Sequence, residues 1–416
     1  MIESTHPLVV VGAGAAGLMT AIVAGRAGLK GVIALDGART LGAKILVAGG
    51  GRCNVTHHAV HERDYAGATP ASIRRVLSRF TVAQTIEFFA ELGVELKREE
   101  TGKLFPVTDN ARTVLQALLR AAADVGVEIR HPDRVLAIEA CEDDSFRIRS
   151  EHGTLCARRV VLATGGRSLP KSGSDGAGLA MAVALGHTLT ERVVPSLVPL
   201  ILQEGHWLRE LSGLALPAEL RVTDPAGKRL ARFEGSLLCT HFGLSGPVAL
   251  DISRHWTLQR AVQPQARLEA SLLPDLDPSG ADRWILDATG RSLISRLRER
   301  LPERMARAVL QASRVTPETT PQQLPKERRR DLVRNLVALD LPVTGDRGFT
   351  YAETTAGGVP LTEVRLETLE SRLRPGLHMV GEMLDVDGRI GGFNFQWAWA
   401  SGFVAGQSAA EALLES

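Results

Sequence analysis

Tyrosine and cysteine are scarce in this 416-residue chain, at two and four residues. The cysteines (Cys53, Cys141, Cys156 and Cys239) form no CxxC pair and have no disulfide-like density, which excludes a structural zinc site and fits a reducing cytosol. Charge of one sign is also lacking. The formal net charge is +2, so global charge argues for no class of partner. One stretch, Leu8 to Gly25, is apolar enough to resemble a membrane span, but its glycines and the absence of a basic cluster before it read as a first strand and first helix. No later stretch is as long, so a membrane partner is not expected and a cytoplasmic location is. Internal repeats and low-complexity tracts are absent.

What is present starts with Gly12-Ala13-Gly14-Ala15-Ala16-Gly17, set between the apolar run Leu8–Val11 and a helical run to Ala24. Gly12 permits a tight turn, Gly14 lets a pyrophosphate reach the backbone, and Gly17 lets helix and strand pack closely. The helix N-terminus offers N–H groups to phosphates. Asp36 ends a second apolar run, Val32 to Leu35, nineteen residues after Gly17, where a carboxylate accepts hydrogen bonds from ribose hydroxyls. Together these predict dinucleotide binding, with Ala15 and Ala16 in the phosphate turn.

A single fingerprint serves NAD or FAD. No second GxGxxG follows at mid-chain and no cysteine pair accompanies it, which excludes a two-dinucleotide disulfide reductase. Instead a glycine-dense loop, Gly42 to Asn54, carries Gly42, Lys44, Gly50, Gly51, Arg52, Cys53 and Asn54. Consecutive glycines can expose backbone N–H groups to an anion or to the polar edge of a ring, so these residues are expected to face a cofactor. Arg52 is a candidate for stabilising negative charge, the alternative being a pair with a surface carboxylate. Cys53, without a partner thiol, is expected to pack.

Further along, helices are expected at Ser72–Phe80, Val82–Leu92 and Ala111–Val125, and short strands at Val94–Lys97 and Val127–Arg130. A meander follows at Arg134–Ala140, Ser145–Ser150 and Thr154–Ala157. A separate buried strand, Arg159–Ala163, precedes Thr164-Gly165-Gly166. From about residue 193 the βαβ alternation stops. Ala215–Thr223 and Lys228–Glu234 flank a turn signal, Asp224-Pro225-Ala226-Gly227. Trp284–Arg300, Glu303–Ala312 and Lys326–Ala338 look helical. The expected organisation is α/β: a Rossmann-like dinucleotide-binding domain, 1–192 and 355–416, interrupted by a β-rich insert, 193–354, with a helical piece at about 280–340.

Four blocks carry a family resemblance: VVVGAGAAGLMTAI (9–22), LGAKILVAGGGRCNVTH (41–57), THFGLSGPVAL (240–250), and TAGGVPL (355–361) with GEMLDVDGRIGGFNFQWAWASGFVAG (381–406). The chain resembles the bacterial flavoproteins of the YhiN, BaiN and RdsA type, described as NAD(P)/FAD-dependent oxidoreductases. It departs from them at Asp36, where glutamate is commoner, and at Arg389, Ile390 and Phe393, often Tyr or Thr. The resemblance implies FAD, and so a Rossmann-like FAD-binding domain interrupted by the β-rich insert. Gly381 and Glu382 would then approach the ribityl phosphate, with Asp387 on the following loop. Gly392, Phe393 and Asn394 would bring a helix N-terminus to the pyrimidine edge of the ring, where Asn394 and Gln396 hydrogen-bond it or Asn394 merely caps the helix. Trp397 and Trp399 are assigned to packing. Ala163, Thr164 and Gly165 resemble the second FAD contact of the superfamily. The backbone of Val135 is a candidate for the adenine, or an ordinary sheet residue.

No histidine lies between Asp36 and Asn54, so FAD is expected to be non-covalent; His57 and His58 come just after. His241 is the candidate proton donor, or a histidine satisfied in its own turn. The expected function is hydride transfer between flavin N5 and a small-molecule substrate, with reduction of a C=C bond conjugated to a carbonyl suggested by the resemblance and NAD(P)H as a transient donor. Other readings are an oxygen-dependent oxidase of an amine or ketone, and a flavin-containing sensing module in contact with RNA. The last rests on Arg283 to Arg334, where twelve Arg and one Lys face six Asp and Glu. No nucleic-acid motif stands beside that stretch, so a solvated helical face is the expected role and nucleic acid is not an expected partner. The sequence sets no oligomeric state.

Overall fold

A computed structural model describes residues 5–288 and 290–415. The chain divides into two compact units, Met1–Val193 with Glu353–Ser416, and Val194–Ala352. The first is built on a seven-stranded sheet. Strands Glu128–Arg130, Val32–Leu35, Thr5–Val11 and Gly153–Leu162 lie side by side in parallel. The alternation of Val135–Ala140 and Phe146–Ser150 extends this sheet as an antiparallel meander. Leu8, Val9 and Val10 are fully buried, as expected where helices cover both faces of a parallel sheet.

The two segments read as separate, Thr154–Ala157 and Arg159–Ala163, form one strand, Gly153–Leu162. Its first half pairs antiparallel with Phe146–Ser150, and its second half pairs in parallel with Leu377–Met379. The hydrophobic pattern changes within the strand because its partner does.

The closing helix, Phe393–Leu414, runs in the same direction as the first helix, Ala15–Arg26. A Cβ added to Gly402 would lie 2.5 Å from Ala16 O, and one on Gly406 2.5 Å from Thr20 O. The helices therefore touch backbone to backbone, which only glycine allows at these positions.

The second unit holds a seven-stranded antiparallel sheet in the order Leu339–Asp340, Arg267–Ser271, Ala215–Thr223, Arg229–Thr240, Gly243–Ser245, Leu200–Leu202, Val343–Asp346. The two outermost strands are separated by only Leu341 and Pro342. The sheet therefore curls until its two edge strands are chain neighbours, without a ladder between them. Helix Pro247–Val262 packs Val248, Ile252 and Trp256 into this core. The expected helix Trp284–Arg300 is instead two short ones, Pro278–Leu286 and Leu293–Leu297, because Asp277 and Ser292 each cap a new start. Among the described residues, no helix is long and apolar enough to cross a membrane.

Candidate cofactor site

The fingerprint turn is fixed from both sides. Gly12 N–H donates to Leu35 O (2.7 Å). Its φ is +100°, and a Cβ there would sit 2.5 Å from Ala163 O. A Cβ on Gly17 would lie 1.8 Å from Gly12 O, so helix and turn share space that no side chain can enter. Gly14 differs: no heavy atom lies within 4 Å of the position its Cβ would take. The first helix has no side-chain cap and no acid in its first turn. Open space thus faces N–H groups and a positive helix end, the arrangement a pyrophosphate requires. Asp36 is buried; its Oδ2 accepts Ala13 N–H (2.7 Å) and its Oδ1 accepts Ala38 N–H (2.8 Å). Each oxygen keeps a second lone pair for a ribose hydroxyl. Val135 belongs to the same sheet end, since Asp36 bonds the backbone of Arg130 and Asp133 and the neighbouring Arg134 abuts Gly37.

The segment Gly42–Asn54, expected to be a loop, is a short helix, Ala43–Gly51, broken at Ala48–Gly50. Gly49, Gly50 and Gly51 take φ values of +58°, +69° and +86°. Such a left-handed turn costs other residues about 1 to 2 kcal/mol each, which is why three glycines stand in a row. Lys44 projects from the helix to Glu382 (2.5 Å) and Ser174 Oγ (3.2 Å). Trp399 Nε1–H donates to Val55 O (2.9 Å) and anchors the segment's exit on the closing helix.

Arg52 has the alternative role weighed from the sequence. It pairs with Glu99 (2.6 Å) and Asp109 (3.6 Å) and stacks on Phe105 at 4.0 Å. Its charge is neutralised on the protein surface, which argues against the catalytic role expected of it. Cys53 is fully buried, and burial pushes its thiol up to about 12, so it packs.

The closing block meets the fingerprint directly. A Cβ on Gly381 would lie 3.0 Å from Ala16 Cβ. Gly381 is held by the closing helix, its O by Trp397 Nε1–H (3.1 Å) and its N–H by Ser401 Oγ (3.0 Å). Glu382 Oε1 lies beside Gly166, and Gly165 abuts Ser174. Thr355 Oγ1 accepts the N–H groups of Arg167 (2.8 Å) and Ser168 (3.1 Å) and shapes the turn after Thr164-Gly165. Asp387 is buried. Phe393 stacks on His57 with centroids 4.9 Å apart, and its carbonyl accepts Tyr65 O–H (2.8 Å).

Two side chains expected at the ring make their hydrogen bonds within the protein. Asn394 spends both ends of its amide on the Gly388 peptide, accepting N–H at 2.8 Å and donating to O at 3.0 Å. Gln396 is buried and satisfied by Thr56, Thr85 and Phe80. The closing helix nevertheless begins at Gly392 without a side-chain cap and without an acid in its first turn, so its positive end is available to an electron-rich ring edge.

Three buried atoms test the fit to a cofactor: Asn54 Oδ1, Thr164 Oγ1 and Glu382 Oε1 have no hydrogen-bond partner among the described residues. Buried polar atoms are normally paired, and these three fall on the glycine segment, the second contact and the closing block. Sequence reasoning missed Ser174 and Thr355, although the latter opens a quoted block. His241 lies in the second unit, exposed on the turn between Arg229–Thr240 and Gly243–Ser245; its carbonyl accepts Arg209 Nε–H (2.9 Å).

Comparison with known proteins places the chain. It is 35% identical over 97% of its length to a 3-dehydro-bile acid delta(4,6)-reductase of Clostridium scindens, covering 98% of that protein. It is 32% identical to a ribosomal RNA dihydrouridine synthase of Escherichia coli, covering 96% of each chain. Among solved structures, an Escherichia coli quinol fumarate reductase subunit, FrdA, shares the fold at 17% identity and a TM-score of 0.53, over 100% of this chain and 71% of that one. The profile described as HI0933-like protein Rossmann domain matches residues 6–408. The chain therefore belongs to the HI0933-like Rossmann-domain family, the same resemblance that its four sequence blocks carry.

Proposed function

We propose that this protein is an FAD-dependent oxidoreductase that reduces a carbon–carbon double bond conjugated to a carbonyl. The observation that carries this reading is the reaction shared by two relatives of different substrate. A bile acid 4,6-reductase and a dihydrouridine synthase both, by their names, saturate a C=C bond that an adjacent carbonyl activates. Bound FAD would supply the hydride. The residues of this chain would hold it as follows. The Gly12–Gly17 turn and first helix take the pyrophosphate, Asp36 the adenosine ribose, and the Val135 backbone the adenine. Lys44, Asn54, Thr164, Gly165 and Glu382 take the ribityl and ring side, and the Gly392 helix end the pyrimidine edge.

Attachment would be non-covalent. The ring nitrogens of His57 are occupied by Ala59 O (2.7 Å) and Thr101 O (3.1 Å). His241 is the proton-donor candidate, and NAD(P)H the proposed hydride source. The alternative substrate, a uracil in ribosomal RNA, is favoured by the second relative. Against RNA contact by the 283–334 stretch stands its local pairing: Arg291 and Arg296 with Glu299, Arg298 and Arg307 with Glu303, Arg329 with Asp282 and Arg334 with Asp331.

The test is anaerobic titration of the purified yellow protein with NADH and NADPH, followed by addition of a 3-oxo-4-ene steroid acid or unmodified ribosomal RNA. Bleaching by a nicotinamide and return of colour with either acceptor supports the reading. Protein that stays colourless after incubation with FAD rejects it.

A further inference from the structure

The turn that carries His241 belongs to a larger, partly exposed cluster. The Arg347 guanidinium lies 4.5 Å from the ring centroid of Phe242 and 3.8 Å from that of Tyr351. His241 packs edge-on against Phe242, centroids 5.1 Å apart at 84°. Tyr351 is 52% exposed. The cluster is fixed through the backbone: Arg347 N–H donates to Pro199 O (3.1 Å), Tyr351 N–H to Gly348 O (3.1 Å), and Gly348 N–H to Asp346 Oδ1 (2.8 Å).

Arg347 differs from most arginines of the 283–334 stretch. Those largely meet carboxylates, whereas Arg347 meets two aromatic rings and no carboxylate among the described residues. A cleft of about 620 Å³ elsewhere in the unit, lined by Trp256, Arg260, Arg267 and Arg334, is a weaker candidate. There Arg260 and Arg334 stand in the last turns of their helices, where they offset the negative helix end, and Arg334 already pairs with Asp331.

Stacking fixes the plane of a guanidinium while leaving its edge N–H groups free to donate, the geometry that matches a carboxylate or phosphate. We propose that Arg347, clamped between Phe242 and Tyr351, binds the anionic group of a planar ligand on the second unit, and that Tyr351 stacks on that ligand's flat conjugated ring. The ligand class is a planar unsaturated ring bearing a carboxylate or a phosphate.

The test is isothermal titration calorimetry on the full-length, FAD-loaded protein with two probe pairs, uridine 5′-monophosphate against uridine, and a 3-oxo-4-ene steroid carboxylate against its methyl ester. The charged member of one pair is expected to bind roughly tenfold more tightly. Arg347→Ala should abolish that preference and leave the neutral member's affinity unchanged, Arg347→Lys should keep part of it, and Tyr351→Ala should weaken both members alike. Preference in the nucleotide pair assigns a phosphate, and preference in the steroid pair a carboxylate. Equal affinity within both pairs, or discrimination surviving in Arg347→Ala, overturns the proposal. Charge discrimination in a protein that takes up no FAD would sink the reductase reading alone.

Discussion

Gly402 and Ala16 are in backbone contact across two parallel helices: a Cβ on Gly402 would lie 2.5 Å from Ala16 O and 3.0 Å from Met19 Cβ. Two effects compete in Gly402→Ala. Helix propensity favours alanine by about 1 kcal/mol. Overpacking costs roughly 1–3 kcal/mol, toward the upper end here because a carbonyl cannot rotate away. We expect net destabilisation, and FAD affinity should fall with it because the same seam carries Gly381 to Ala16. Urea unfolding followed by tryptophan fluorescence checks this; a variant more stable than wild type would refute the close contact.

Gly12 and Gly14 should separate folding from binding. Gly12→Ala places a Cβ 2.5 Å from Ala163 O at a φ of +100°, so it should destabilise the protein whether or not cofactor is present. Gly14 has φ near −80° and open space around its α-carbon. Gly14→Val should leave the melting temperature of the FAD-free protein nearly unchanged and lower flavin content at least tenfold. Flavin absorbance per protein, read beside the melting curve, distinguishes them. If Gly14→Val keeps its flavin, the space at Gly14 does not receive the pyrophosphate.

The parts of this site legible in the sequence are those where backbone geometry restricts residue choice. Gly12, Gly17 and the glycine row at 49–51 each answer a steric demand visible without coordinates. Side-chain direction is not legible in that way. Asn394 and Gln396 stand in the first turn of a helix, and nothing local says that one folds back on Gly388 while the other points into the core. The Lys44–Glu382 pair joins positions 338 residues apart, a distance no local pattern spans. Helix Pro247–Val262 has no counterpart in the elements expected from the sequence, although Pro247 at its start and apolar Val248, Ile252 and Trp256 on one face mark it. Strand Gly153–Leu162 was divided because its exposed and buried halves follow different partners. Arg347 and Tyr351 lack a fingerprint; they stand out only once an unpaired cation is found between two rings.

Lys44 offsets the charge of Glu382 beside a segment assigned to an anionic cofactor, with both side chains mostly buried. Lys44→Ala should leave that carboxylate unneutralised and raise the FAD dissociation constant by roughly tenfold, about 1.4 kcal/mol. Glu382→Gln alone should cost less. The double variant should recover much of the loss, since the harm of the first change is exerted through the second residue. Fluorescence titration of FAD-free protein measures all three affinities, and additive losses would show that the two residues act separately.

Acid should destabilise the protein through two histidines, His378 fully buried and His255 half-buried. Burial, with Arg159 adding to it, lowers His378 to about 4; burial, with Arg254 adding to it, lowers His255 to about 4. In the unfolded chain each returns to about 6.5. Between pH 6.5 and 4 the unfolded state therefore binds protons that the folded state refuses, and folding loses up to about 1.4 kcal/mol per pH unit per group. The stabilisation is complete above pH 6.5 and is lost as pH falls toward 4. Urea midpoints at pH 7.5, 6, 5 and 4.5 should fall steadily, and His255→Asn should reduce the slope by up to about 1.4 kcal/mol per pH unit. His378 is embedded with Arg159 (3.3 Å) and Thr368 O (3.0 Å), so its replacement costs packing as well, and the His255 variant is the cleaner probe. A flat profile in wild type, or an unaltered slope in His255→Asn, would mean that these imidazoles accept protons in the folded protein.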